Sequence, residues 1–345
     1  MCNIAGYVGT QPAAPILLKM MLAEEGFGGG YYTGIATLHE GKIHYAKLTG
    51  DTKRLIDCTD AASLPGTVGI LHSRSKSGGG DEWAHPFVGE KNGEIKIAYV
   101  ANGAVGAFDD QRAEQIKTAD ALLAAGYEMK SRVVLNGTAY NRLSDGTTAH
   151  MSDVMCQLIL SHMDKGLSSA EAMTAAFCGM PSEIVGLLLA CGDPDRITYS
   201  RINYPMFVGF ADHGAYLAST AIAFPTDAGE PMLLSANSSG CVTQSSVTVY
   251  PYAAPPAQVA PITADVVAKA YEAILAVLAE GPQTMGALCK AVKPCFAPSD
   301  LQPVAPLAYD VLYALHRAGT VRFENIRVAG ARDDLDAPRI RISRT

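Results

Sequence analysis

Apolar residues along this chain occur in short runs whose spacing changes with position. Alternating or continuous apolar runs, bounded by turn residues, predict strands. These strands are expected at residues 3–8, 32–38, 42–48, 95–101, 185–190, 206–210 and 215–218. Helical spacing of apolar residues predicts helices at 14–25, from Asp153 to Met163, and at 169–177. This material is typical of an α+β fold in which two stacked, mostly antiparallel sheets lie between helical layers.

The last part of the chain has a different pattern. Helices are predicted at 264–280, 284–292 and 307–318, followed by strands at 321–328 and 339–343. Three helices followed by a hairpin resemble a winged-helix domain. The prolines that precede this region indicate a linker; they are Pro251, Pro255, Pro256 and Pro261. The expected organisation is a first domain at 1–250, a linker at 251–261 and a winged-helix-like domain at 262–345.

Composition narrows the class of protein. The 345 residues are 48% hydrophobic and 18% charged, as in globular proteins. A net charge of -7 argues against nucleic acid or an anionic membrane as a general partner. Neither a secretion signal nor an apolar run of the ~18 residues that span a membrane is present, so we predict a cytoplasmic protein. The eight cysteines form no Cys-x-x-Cys pair, and the glycines at 26–30 are not followed by Lys-Ser or Lys-Thr. We therefore predict no metal and no cofactor.

The N-terminal residues suggest a specific chemistry. Cys2 follows the initiator methionine directly, and removal of that methionine would leave one residue with both a thiol and a free α-amine. An α-amine has a pKa of about 7.7–8.0, so it can accept the thiol proton near neutral pH. Nucleophile and base are then combined in one residue. The alternative is that Cys2 is an ordinary second residue.

Polar residues follow two of the predicted strands, a further one at 69–72 and the one at 95–101. The apolar run at 69–72 leads into Ser73-Arg74-Ser75-Lys76-Ser77 and three glycines, and Ala84-His85-Pro86 comes soon after. The strand at 95–101 leads into Asn102-Gly103. Strand ends of this kind can place their polar residues at one edge of a sheet, where sites are built on loops held by a rigid scaffold.

These motifs, in this order, resemble the glutaminase domain of the class II glutamine amidotransferases. The resemblance is strongest to the amidase half of glucosamine-6-phosphate synthases. It rests on Cys2 before Ile-Ala-Gly-Tyr-Val-Gly, on His-Ser-Arg, Ala-His-Pro and Asn-Gly, and on Thr33-Gly34-Ile35-Ala36 and Tyr216-Leu217-Ala218-Ser219. It covers about residues 2–250 and implies the four-layer α/β/β/α sandwich of N-terminal-nucleophile hydrolases.

The resemblance also implies residue roles. Cys2 would attack the side-chain amide of glutamine, with its own α-amine moving protons. The Asn102 side chain and the Gly103 backbone N–H would stabilise the oxyanion. Arg74, assisted by Ser77, would bind the glutamine α-carboxylate, and Asp153 would bind the amine. Ammonia would leave, and water would convert the γ-glutamyl thioester to glutamate.

Each role has a structural alternative. Arg74 can be a surface arginine, Asn102-Gly103 a turn pair, and Asp153 a helix N-cap. His72 and His85 invite the idea of a Cys-His dyad, but in the resembled family these positions are mainly structural. The remaining cysteines of this domain are expected to be small buried hydrophobes.

Several positions depart from the family pattern. The family usually has an arginine near Gly28, a tryptophan at the position of Ser75 and a histidine at that of Gly78. The missing tryptophan puts the passage of ammonia to a second active site in doubt. Residues 127–149 look like an insertion.

The charge and the length of the C-terminal region indicate which kinds of partner the protein has. It carries ten Lys or Arg against nine Asp or Glu, without a concentrated basic helix. It is also too short for the paired sugar-isomerase domains of the synthases. We therefore predict a glutamine-hydrolysing subunit whose ammonia goes to a synthase partner, with a C-terminal domain for protein contact or homodimerisation. The alternative function is a catalytically inactive glutamine sensor or regulator that acts through that domain.

Overall fold

The structure is a computed structural model, and it describes residues 2–103, 108–135, 141–182 and 184–345. The helices are α1 (Ala13–Glu24), α2 (Thr52–Cys58), α3 (Arg112–Ala124), α4 (Met151–Asp164), α5 (Ser169–Gly179), α6 (Ala264–Ala279), α7 (Met285–Val292) and α8 (Val304–Arg317). The strands before the C-terminal region are β1 (Asn3–Gly9), β2 (Tyr32–His39), β3 (Lys42–Thr49), β4 (Val68–Arg74), β5 (Phe87–Lys91), β6 (Glu94–Asn102), β7 (Val185–Ala190), β8 (Ile197–Arg201), β9 (Phe207–Ala211), β10 (Gly214–Ala218), β11 (Met232–Leu233), β12 (Ser238–Val242) and β13 (Val247–Pro251). The last two strands are β14 (Val321–Ala329) and β15 (Asp336–Arg344).

Two antiparallel sheets form the centre of the molecule. The first has seven strands in the order β11-β9-β10-β1-β4-β2-β3, and the second has six in the order β13-β12-β8-β7-β6-β5. Strand β1 therefore lies inside its sheet, between β10 and β4. Cys2 immediately precedes this interior strand, so its backbone position is fixed from both sides.

The layers follow from where the apolar side chains point. One apolar cluster fills the space between the two sheets and includes Ile4, Val8 and Val100. A second joins the first sheet to α1, and a third joins the second sheet to α4 and α5. Along β1, Ile4 and Val8 face the other sheet, while Ala5 and Tyr7 face α1. The predicted four-layer arrangement of mostly antiparallel sheets is the one observed.

The C-terminal region consists of three helices and the two-stranded sheet β14-β15. It does not stand apart from the first region. Its apolar cluster includes Phe27 and Phe207 from the first region. Backbone contact continues through Ile340, whose N–H donates to the Gly26 carbonyl at 3.0 Å. Arg327 of β14 forms an ion pair with buried Asp51 at 2.8 Å. The two regions therefore share a core.

The expected linker is packed along the body of the protein. Within it, Tyr252 is buried and its hydroxyl lies 2.6 Å from the Ser200 hydroxyl. Ala260 donates its N–H to the Leu301 carbonyl at 2.9 Å. The proposed domain boundary at 251–261 stays a prediction.

Several elements differ from the sequence expectation. Helix α8 begins at Val304, before the expected 307, because Pro306 lies in the first turn, where no N–H is needed within the helix. Helix α3 was not predicted, because its buried residues are Gln115, Ala119 and Leu122, of which only Leu122 is a large apolar residue. Strand β8 was missed because its buried residues include Thr198, Ser200 and Arg201. The other unexpected elements were α2, β5, β11, β12 and β13. No helix in the described part of the chain is long and apolar enough to cross a membrane.

Candidate active site

Cys2 lies between the ends of strands from both sheets. Its Sγ is 3.4 Å from the backbone nitrogen of Ser75, which donates to it, and 3.6 Å from the Ser75 hydroxyl. The strand register explains this contact. Asn3 of β1 pairs with Ser73 of the antiparallel strand β4, so Cys2, which precedes Asn3, lies beside the residues that follow Ser73. The start of β1 is also held from its other side, where the Ile4 N–H donates to the Ser219 hydroxyl at 2.9 Å. Cys2 is partly exposed.

Asn102, the last residue of β6, reaches Cys2 from the second sheet. Its Nδ2 donates to the Cys2 carbonyl oxygen at 3.0 Å, and its Oδ1 lies 3.2 Å from Nε2 of His72. Because Nδ2 points to Cys2, Oδ1 must accept from His72, and Nε2 of that ring carries the proton. Burial, and then the charge of Arg74, lowers the pKa of His72 to about 3. His72 is therefore neutral and orients the Asn102 amide. Gly103 follows as an exposed residue.

Arg74 ends β4 and is buried, so it is not a surface arginine. Its guanidinium carbon lies 4.0 Å from the centre of the Tyr32 ring and 5.7 Å from that of Trp83. The same group donates to the Gly78 carbonyl. Ser77 donates from its hydroxyl to the Ser75 carbonyl at 3.3 Å. Arg74, at the end of β4, therefore contacts the loop of residues 75–80, which contains Ser77 and begins at the contact with Cys2.

Asp153 lies in the first turn of α4 and is buried. Its carboxylate accepts the backbone N–H of Ser131 at 2.8 Å and the side-chain amide of Gln157 at 3.1 Å. Burial raises the pKa of Asp153, and these hydrogen bonds oppose the rise. The N-cap alternative is wrong, because His150 is the N-cap and its Nδ1 accepts the Ser152 N–H at 3.2 Å. The role of Asp153 as the amine-binding group stays a prediction.

Trp83 connects the loop 75–80 to Asp153, and the sequence analysis did not single it out. The indole N–H donates to the Ser131 carbonyl at 2.8 Å, and Ser131 is the same residue whose N–H reaches Asp153. Gly79 has φ +74, and a Cβ built on it would lie 2.3 Å from Cγ of Trp83. Only glycine fits there. Trp83 is the single tryptophan of the chain and directly precedes Ala84-His85-Pro86, which was the available signal.

Three histidines pack against one another behind the site; His72 and His85 are buried, and His150 is partly exposed. The ring centres of His72 and His85 are 3.9 Å apart, and those of His85 and His150 are 5.2 Å apart. Burial lowers the pKa of all three, and nearby positive charge adds to the effect. They are neutral packing groups at neutral pH, as the structural interpretation of His72 and His85 expected.

A buried acidic network lies under β1 and β4. Glu25 accepts hydrogen bonds from the Ser73 hydroxyl at 2.6 Å and from the Thr52 hydroxyl at 2.9 Å. Burial raises the pKa of Glu25 to about 7, against the effect of these bonds. Beside this network, Oδ1 of Asn3 accepts the Gly29 N–H at 2.8 Å. The glycine segment 26–30 is thus tied beneath β1 and β4.

Known proteins resemble this chain in sequence over part of their length. No family model matches the chain. The glutamine–fructose-6-phosphate aminotransferase (isomerizing) of Pyrococcus horikoshii is 26% identical over 251 residues, which are 72% of this chain and 37% of that protein. The protein of the same name from Rhizobium leguminosarum bv. viciae is 27% identical over 252 residues, 72% of this chain and 36% of that protein. The chain thus matches well under half the length of these relatives.

The chain is a homologue of the class II glutamine amidotransferases. The fold agrees with theirs. Glutamine phosphoribosylpyrophosphate amidotransferase from B. subtilis, solved with ADP and GMP, superposes with a TM-score of 0.59 at 13% identity, covering 85% of this chain and 64% of that one. A structure described as the allosteric regulatory enzyme of purine biosynthesis gives a TM-score of 0.58 at 16% identity, covering 81% and 58%.

The predicted resemblance to the glutaminase region of the synthases is confirmed, and the relatives that confirm it are named as aminotransferases, which are enzymes. The structure brings Cys2, Asn102, Arg74 and Ser77 together around the ends of β1, β4 and β6. Asp153 is connected to them through Ser131 and Trp83. The assignment of catalytic and binding roles to these residues stays a prediction.

Proposed function

We propose that this chain hydrolyses glutamine to glutamate and ammonia through Cys2 as an N-terminal nucleophile. The observation that carries the proposal is the position of Cys2, whose sulfur contacts Ser75 and whose carbonyl accepts the Asn102 amide. An oxyanion donor candidate and the start of the Arg74 loop therefore border the same residue.

The reaction follows from these positions once Met1 is removed. The Cys2 thiol gives its proton to the free α-amine, and the sulfur attacks the amide carbon of glutamine. Asn102 and the Gly103 N–H stabilise the negative oxygen. The α-amine returns the proton to the leaving nitrogen, and ammonia departs. Water then cleaves the γ-glutamyl thioester, which restores the thiol and releases glutamate.

Substrate binding is proposed for the loop side of the site. Arg74 and Ser77 would bind the glutamine α-carboxylate, and Asp153 the amine. The burial of Arg74 against Tyr32 and its bond to Gly78 mean that the loop 75–80 must rearrange when the carboxylate binds. The ammonia would pass to a synthase partner. The C-terminal region, which we propose to be winged-helix-like, would supply a protein contact or a homodimer interface.

The test is glutamate formation by the wild type and by Cys2→Ala, with Cys58→Ala as a control. Cys58 was expected to be buried, but the structure shows that it is exposed. Mass spectrometry first establishes that Met1 has been removed. We expect Cys2→Ala to lose at least about 10³-fold in rate, because no other group supplies the nucleophile. Cys58→Ala should match the wild type. Glutamine binding without glutamate formation by the processed wild type would instead favour the sensor function, which the enzyme relatives do not favour.

A further inference from the structure

We propose that the cavity between the first region and the C-terminal region binds a small anionic molecule that also carries a hydrogen-bond donor. Its volume is about 950 Å³, at the upper end of the range of small-molecule sites. Asn203 and Tyr204 form its wall on the first region, and Cys289, Lys290 and Lys293 form the facing wall.

The cavity lies at the same sheet edge as Asn102. In the second sheet, Asn102 pairs with Val185, and Val185 pairs with Arg201, two residues before Asn203. Backbone hydrogen bonds continue this connection. Ile184 donates to the Asn102 carbonyl at 3.1 Å, and Asn203 donates to the Ile184 carbonyl at 3.4 Å. Two strand spacings of about 4.8 Å thus separate the ends of β6 and β8.

Tyr204 lies on the first-region wall of the cavity, next to Asn203. Burial raises the pKa of Tyr204 to about 12. Tyr204 is therefore a neutral wall residue.

The charges at the rim select an anion. Lys290 and Lys293 are exposed at the C-terminal end of α7 and in the turn that follows. The Cys289 thiol does not neutralise them, since burial raises its pKa to about 12. Asp300 also lines the cavity, and its carboxylate accepts the Gln258 N–H at 3.0 Å. The lining therefore carries two lysines against one carboxylate, and this excess of positive charge favours a carboxylate or a phosphate.

The buried wall of the cavity contains a side-chain acceptor that lacks a hydrogen-bond donor. Asn203 is 4% exposed, and its Nδ2 donates to the Gln302 carbonyl at 3.0 Å. Its Oδ1 is buried and has no hydrogen-bond partner among the residues described. A buried acceptor left in this state is costly, and Asn203 lines the cavity, so a small movement of this side chain would let a ligand with an O–H or N–H group satisfy it. Hydrogen phosphate and hydroxy acids combine both features.

Beside a site that releases ammonia, such an anion would be a candidate ammonia acceptor. This part of the inference rests on the proposed function; the anion site itself does not.

The experiment measures binding of four probes to the full chain by calorimetry at neutral pH and constant ionic strength. Inorganic phosphate is compared with sulfate, which has no proton to donate, and L-malate with succinate, which lacks the hydroxyl. We expect phosphate or malate to bind at least 10-fold more tightly than its partner probe. Which of the two binds identifies the anion as phosphate-like or carboxylate-like.

The variant Lys290→Ala/Lys293→Ala should weaken that binding at least 10-fold, while the exposed pair Lys42→Ala/Lys165→Ala should leave it unchanged. No binding of phosphate or malate would overturn the proposal, as would equal binding of both members of each probe pair or equal weakening in both double variants. Glutamate formation is measured on the same samples without anion, and we expect the Lys290/Lys293 variant to match the wild type. Anion binding by a wild type that forms no glutamate would contradict the proposed function and leave this site standing.

Discussion

At one end of the candidate site, Cys2 and Asn102 are held by strands; at the other, Arg74, Ser77 and Asp153 are reached through loops and side chains. Cys2 is fixed by the pairing of β1 with two neighbours, and Asn102 by β6 and the neutral ring of His72. The second end depends on Trp83 and Ser131, which lie far apart in the chain. We call these the strand-held end and the loop-held end. Short sequence motifs specify the residues of the strand-held end, whereas an insertion in the chain can change the loop-held end.

The strand-held end is tested most strongly by Asn102→Ala. We expect kcat to fall about 10²–10³-fold, because an oxyanion donor is lost while substrate binding is retained. Steady-state glutaminase kinetics measure it, with Asn325→Ala, at an exposed position of β14, as the control. A change in KM alone would mean that Asn102 binds the substrate and does not stabilise the oxyanion.

The loop-held end is tested by Asp153→Asn. If the carboxylate binds the glutamine amine, KM should rise about 10–100-fold with a smaller change in kcat, because a charge-assisted hydrogen bond becomes a neutral one. The asparagine oxygen can still accept the Ser131 N–H. An unchanged KM together with lower stability in thermal unfolding would show that Asp153 only connects α4 to Ser131.

A smaller effect on the same end is expected from Trp83→Phe. The ring remains against Gly79, but the hydrogen bond to the Ser131 carbonyl is lost, at a cost of about 1 kcal/mol. We expect a several-fold increase in KM and little change in kcat. Because Trp83 is the only tryptophan, wild-type fluorescence should also change when glutamine binds. Fluorescence that does not respond to saturating glutamine would argue against rearrangement of the loop 75–80.

The least effect on activity is expected from Glu25→Gln, which probes the network under the strand-held end. The folded-state pKa of about 7 is above the usual 4.5, so Glu25 favours folding in its protonated form. This contribution is complete below about pH 4.5 and is lost as the pH rises to about 7. Since glutamine resembles the protonated acid, the variant should gain up to about 3 kcal/mol over the wild type across that window. Denaturant unfolding at several pH values measures this, and a constant difference would exclude the raised pKa.

Some of these features could be read directly from the sequence. The period of apolar residues predicted α1 and the strands β1 to β3, β6 and β7, because each of these elements has an apolar face. The motifs that follow Cys2 and that run from His72 to Arg74 identified the strand-held end, and with it the four layers, through the family resemblance. The elements that were missed have polar or small residues at their buried positions, such as Gln115 in α3 and Ser200 in β8.

The sequence by itself determined many of the separate helices and strands, the position of Cys2 directly before a strand and, through the family resemblance, the layered fold, because these depend on local periodicity and short motifs. Only the tertiary structure decided that Trp83 and Ser131 join the loop 75–80 to Asp153, and that the C-terminal region closes a cavity at the edge where Asn102 ends. Those contacts link residues tens or hundreds of positions apart. Packing of whole layers brings such residues together, and no local pattern encodes that packing.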